Sequence, residues 1–159
     1  MKIKKVFLLA AAAVLVLALI FMIPVGQMWA EWNHFEKHGG YLVTYDGQYP
    51  DVEEKQIVSL GTKCKDGPAI SQVYYYPQVP QLSFLARGDD DQVFRLTVSV
   101  RGKDWEVSHF ISYGGKSVYG QSIRHFCITP SEPLKSGETY TLTIMSEDAN
   151  WEMEITLTE

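Results

Sequence analysis

Residues Val6 to Val25 form an uncharged apolar run of about 20 residues. At roughly 1.5 Å per helical residue, such a run crosses the roughly 30 Å hydrocarbon core of a bilayer. Lys2, Lys4 and Lys5 precede it and a mixed Glu31/Glu36/Lys37 flank follows. That bias predicts a single-pass protein with its N-terminus in the cytoplasm and the bulk of the chain in the periplasm or extracellular space. Trp29 and Trp32 stand where an interfacial aromatic belt would sit, and Pro24 lies near the end of the span, where a lost helical hydrogen bond does least damage. The competing reading is a cleavable signal peptide, with an apolar core of about 7 to 15 residues ending in a small-x-small site. Met28-Trp29-Ala30 and Pro24-Val25-Gly26 match that site poorly, so the segment is read as a signal-anchor that stays in place. The expected organisation is a cytoplasmic tip (1–5), a transmembrane signal-anchor helix (6–26), a juxtamembrane neck (27–40) and an extracytoplasmic domain (41–159). The neck is expected to be helical or extended, to be closed by Gly39-Gly40, and to hold the domain off the membrane.

Three of the 14 Lys and Arg residues precede the span, which leaves 11 basic residues against 19 acidic ones, a net charge of −8. Such a surface repels nucleic acid and anionic headgroups, whose binding depends on clustered cations. The domain is rich in Tyr, Trp, Thr and Val, a bias suited to half-buried pleated surfaces. Alternation between turn residues predicts strands near 41–45, 55–61, 69–77, 82–87, 92–100, 105–112, 122–129, 138–146 and 151–158, the pattern of an all-β antiparallel sandwich. Over 92–100, Phe94, Leu96, Val98 and Val100 share one face, and Arg101-Gly102-Lys103-Asp104 turns that strand towards Trp105. In the last hairpin Tyr140, Leu142 and Ile144, then Trp151, Met153, Ile155 and Leu157, alternate with Thr and Glu across an Asp148-Ala149-Asn150 turn.

Pro133-Leu134-Lys135-Ser136-Gly137-Glu138-Thr139-Tyr140-Thr141-Leu142-Thr143-Ile144 resembles the L-x-x-G-x-x-Y-x-L-x-I approach to the penultimate strand of fibronectin type III and bacterial immunoglobulin-like domains. The resemblance implies an immunoglobulin-like sandwich and, at Tyr140, a tyrosine corner tying the strand to the preceding loop. It implies no chemistry, since such folds mostly bind or space.

Cys64 and Cys127 are the only cysteines, and on an oxidising side of a membrane an isolated pair invites a disulfide; two unrelated buried thiols are the alternative. A loop of that length would stabilise the fold by roughly 4 kcal/mol. His34 and His38, four apart, share a helical face but are too few to define a metal site. His109, His125 and Asp104 are the scattered residues from which a catalytic site would have to be assembled, and no nucleophile motif accompanies them. Gly88-Asp89-Asp90-Asp91 matches no established calcium loop and reads as a hairpin turn. Tyr74, Tyr75 and Tyr76 cannot all face one side of a strand, so at least one ring should point away from the core unless a second layer covers it; an outward ring is a candidate partner contact.

These readings predict a membrane-anchored, non-catalytic binding or accessory module of the cell envelope, its partner another envelope protein, with no cofactor. An acidic immunity or inhibitor protein facing a basic toxin is one form of it. The alternative is a small-ligand or metal-binding envelope domain using the neck histidines or the acidic turn.

Overall fold

The computed structural model describes residues 2–39, 43–44, 47–48, 56–60, 64–107 and 110–158. The apolar run lies in one continuous helix, α1 (Lys2–His38), about 55 Å long at the usual rise and both long and apolar enough to span a membrane. Pro24 lies inside the helix without ending it. Gly39 ends it, with a φ of +72° that suits glycine and with its N–H donating to Phe35 O at 2.8 Å. A Cβ at Gly39 would stand 2.6 Å from the Tyr76 hydroxyl, so the stop also lets the chain pass close to the sheet.

Two short strands, β1 (Val43–Thr44) and β2 (Gly47–Gln48), pair with each other; the rest of the strand expected over 41–45 lies outside the described residues. Ten further strands form one antiparallel sheet: β3 (Gln56–Leu60), β4 (Ala69–Ile70), β5 (Val73–Tyr76), β6 (Gln81–Asp89), β7 (Thr97–Arg101), β8 (Glu106–Val107), β9 (Phe110–Val118), β10 (Gln121–Ile128), β11 (Thr139–Met145) and β12 (Asn150–Leu157). Their order is β8-β7-β11-β12-β3-β5-β6-β10-β9, with β4 added on β6. The sheet curls into a half-barrel, so that its two arms share one core. Val73, Tyr75, Leu82, Phe84, Phe126 and Ile128 from one arm meet Val98, Val100, Leu142, Ile144, Met153 and Ile155 from the other.

The last hairpin alternates as the pattern predicts: Tyr140, Leu142 and Ile144 are buried, as are Met153, Ile155 and Leu157, while Glu152 and Glu154 are exposed. The strand expected over 92–100 begins later. Asp90–Phe94 is a short helix, α2, whose first turn carries Asp90 and Asp91, a placement that complements the positive end of a helix. This one turn rotates the chain so that Val93 faces the core while Phe94 is left 47% exposed, and strand alternation holds only from Leu96 onward.

Candidate functional site

Beyond the apolar run, α1 presents Met28, Trp32 and Phe35 at a spacing of i, i+4 and i+7, one face of a helix, and all three are buried. They pack on the side of β5, β6 and β10 that faces away from the main core, against Tyr74, Tyr76, Leu85 and Ile123. Over residues 28–39 the helix that carries the apolar run thus continues into the fold and supplies a second layer over the sheet. Two hydrogen bonds fix its end. Gln72 N donates to Glu36 Oε1 at 3.1 Å, and Tyr74 OH donates to Glu36 O at 2.7 Å.

Polar groups cross this helix–sheet seam at two levels. Nearer the apolar run, the Arg87 guanidinium lies 4.1 Å from the Trp29 ring centre and 4.9 Å from that of Trp32. Its Nη1 is buried with no hydrogen-bond partner among the described residues, and the π faces of the two indoles supply attraction to the cation. On β9, two strands away, Lys116 Nζ pairs with Glu31 Oε2 at 2.7 Å. About a turn further along the helix, Phe35 meets the His125 ring edge-on with centroids 5.3 Å apart. Beneath it Ser83 Oγ and His125 Nε2 share a 2.6 Å hydrogen bond, and Cys127 Sγ lies 3.5 Å from the same nitrogen.

The chemistry of this trio follows from burial. Desolvation pushes His125 down to about 4, against an upward pull from the Glu31 carboxylate, so the ring is neutral at ordinary pH. Burial pushes the Cys127 thiol up to about 12, which keeps it protonated and unreactive. Ser83 is fully buried under the docked helix. A hydroxyl, an imidazole and a thiol meet here.

The other residues singled out in the sequence fall in separate places. The expected Cys64–Cys127 bridge does not form: both thiols are free. Cys64 packs at the main core with its sulfur 3.8 Å from Met153 Sδ, and burial raises it to about 11, whereas Cys127 belongs to the seam on the other side of the sheet. Tyr74, Tyr75 and Tyr76 are all buried, Tyr75 in the main core and the other two under α1. The layer expected to cover an outward ring is supplied by the chain's own helix α1. Trp32 likewise leaves the interfacial belt for the seam, while Trp29 stays 46% exposed.

His34 and His38 lie on the exposed side of α1 with ring centres 4.8 Å apart, and among the described residues no third metal-ligating side chain joins them. Asp104 is exposed in the β7–β8 turn, and His109 lies outside the described residues. In the acidic turn, Asp90 accepts from Ser117 Oγ at 2.6 Å and from Ser122 Oγ, and Asp89 accepts from Gln121 Nε2, so these carboxylates staple β6 to the β9–β10 hairpin. The Ser117 and Ser122 bonds hold the Asp90 carboxyl below its usual range. Tyr140 is buried, and its hydroxyl accepts from Lys135 N at 2.8 Å and donates to Glu138 Oε2 at 3.0 Å, tying β11 to the loop before it.

Comparison with protein-family models, with curated proteins and with solved structures gives no match. The resemblance at Pro133–Ile144 thus rests on that segment alone. Sequence reasoning singled out His125, Cys127, Tyr74, Tyr76 and Trp32 one by one but missed that they meet in one seam, and missed Met28, Phe35, Ser83 and Arg87. The stripe Met28, Trp32 and Phe35 is a readable signal, three large apolar side chains on one helical face within a polar stretch. Ser83, Arg87 and His125 have no such signal, since they meet only through the β6–β10 pairing.

Proposed function

We propose that this protein is a membrane-anchored, non-catalytic module of the cell envelope whose β domain, on the extracytoplasmic side, binds another envelope protein. The observation that carries this reading is the use made of the seam: buried Ser83 and Cys127 and half-buried His125 lie beneath Phe35 and help join the domain to its own helix. Groups committed in this way serve position, and a domain locked to a membrane helix presents its neighbours with a surface of fixed attitude. Lys2, Lys4 and Lys5 before the span support the cytoplasmic N-terminus. The acidic excess beyond the span favours a neutral or basic protein partner over a polyanion.

Strand β9 supports the mode of binding. It is nine residues long, ends the sheet, and has β10 as its one hydrogen-bonded neighbour among the described residues. Strand addition along such an edge is a recurrent form of protein recognition. Kinship with immunoglobulin-like sandwiches is part of the same proposal, and the Tyr140 corner supports it.

The test is photo-cross-linking in intact cells from reactive residues placed at positions 112 and 117 of β9, with position 136 in the loop before β11 as control. A discrete adduct confined to the β9 positions is expected. Equal adducts at all three positions, or none, would overturn the reading.

A further inference from the structure

The β9–β10 hairpin turns at Tyr119-Gly120, and Tyr119 is 62% exposed. Both turn residues have positive φ, 52° for Tyr119 and 79° for Gly120. Hairpin turns of this hand favour Asn-Gly or Asp-Gly, so a bulky aromatic at the first position is held there against its backbone preference. What the exposed ring meets is the anchor: the Tyr119 and Phe21 ring centres are 5.7 Å apart. Phe21 lies inside the apolar run, four residues before its end at Val25, or about 6 Å within it along the helix. Helical side chains lean towards the N-terminus, which sets the Phe21 ring, and Tyr119 with it, slightly deeper still.

A second contact gives the direction of the hairpin. Phe21 meets Tyr119, and Phe35 meets His125. The helix advances about 21 Å from Phe21 to Phe35 at 1.5 Å per residue. The strand advances about 20 Å from Tyr119 to His125 at 3.3 Å per residue. The near-equal rises mean that α1 and β10 run side by side in the same direction, so a helix crossing a bilayer carries β10 upright with its hairpin tip at the bilayer surface.

We propose that this tip, Val118-Tyr119-Gly120, rests in the lipid interface beside the span, so that the β domain touches the membrane directly as well as through its anchor. The occupant is the boundary between headgroups and acyl chains in the leaflet on the domain side. Residues 117–121, Ser-Val-Tyr-Gly-Gln, carry no charge, and tyrosine is suited to that boundary, its ring apolar and its hydroxyl hydrated. Asp89 and Asp90 stand just behind the tip, at headgroup level, and bond to Gln121 and to Ser117 and Ser122. The contact therefore works by interfacial burial of an aromatic ring and needs no anionic lipid.

The inference rests on α1 crossing the bilayer, and the test separates the two claims. The full chain carrying Cys64→Ser is placed in phosphatidylcholine nanodiscs, with a nitroxide on Tyr119→Cys, on Ser136→Cys at the far end of the strands, or on Leu15→Cys in mid-span. Collisional access is compared for oxygen and for a water-soluble nickel chelate. Nickel access several-fold lower at 119 than at 136 is expected, with Leu15→Cys lower again. Equal nickel access at 119 and 136, with Leu15→Cys shielded, overturns the tip contact and leaves the span standing; an aqueous reading at Leu15→Cys overturns both. As an independent variant, Tyr119→Trp should add fluorescence that brominated lipid quenches beyond the parent chain, and unquenched added emission counts against the proposal.

Discussion

The two faces of the β5–β6–β10 arm are built differently. One looks into the half-barrel and is apolar but for the Tyr75 hydroxyl, which accepts from Leu134 N, with Phe84 stacked on Phe126 at 5.5 Å and Val73, Leu82, Ala86 and Ile128 around them. The other looks at α1 and mixes Leu85 and Ile123 with Ser83, Arg87, His125 and Cys127. The first face is completed by strands of the same domain. The second is completed by the helix that carries the apolar run, and its polar side chains are satisfied partly within the sheet, where Ser83 and Cys127 both meet His125, and partly from the helix, where two indoles face Arg87. The two faces therefore differ in what completes them, and mutations on each side test whether they unfold as one unit.

Phe84→Ala strikes the core face and should cost about 4 kcal/mol in denaturant unfolding of the detergent-solubilised chain, enough to threaten the whole fold. Phe35→Ala strikes the seam and should cost about 3 kcal/mol of helix docking. Here hydrogen exchange should rise around Tyr74 and His125 while β11 and β12 stay protected; uniform loss of protection would show that the two faces form one unit.

Acid probes the seam through His125. Its folded value is depressed to about 4 from an ordinary 6.5, so as pH falls below about 6.5 the unfolded chain takes up a proton that the folded chain refuses. Stability is thus flat above neutrality, lower by about 2 kcal/mol at pH 5, and falls little further on this account below pH 4. His125→Asn should abolish the dependence, and a wild-type pH profile in that variant would remove the histidine from the argument.

Two smaller changes calibrate the comparison at places outside both faces. Tyr140→Phe should cost about 1 kcal/mol by releasing the buried end of the β11 corner. Glu147→Ala breaks an ion pair with Arg95 whose two side chains are both mostly exposed, and should change the unfolding midpoint by less than about 0.5 kcal/mol of stability.

Much of the fold was legible locally. Hydrocarbon thickness sets the length of the span, and a period of two identifies the buried rows of β7, β11 and β12. The local rule failed at Asp90–Phe94, where a helical turn shifted the buried position to Val93, and for the Cys64–Cys127 pair, where an even count of thiols said nothing about which side of the sheet each would occupy. The Tyr74-Tyr75-Tyr76 run announced that two faces needed covering, but not by what.

The sequence by itself determined which segments are apolar enough for lipid and which residues alternate between burial and water, because both properties depend on neighbours a few positions apart. Only the tertiary structure decided that the helix carrying the apolar run would cover the second face of its own sheet, and that Ser83 and His125, 42 residues apart, would meet beneath Phe35. Those meetings depend on strand register and on the closure of long loops, and no short-range pattern records either.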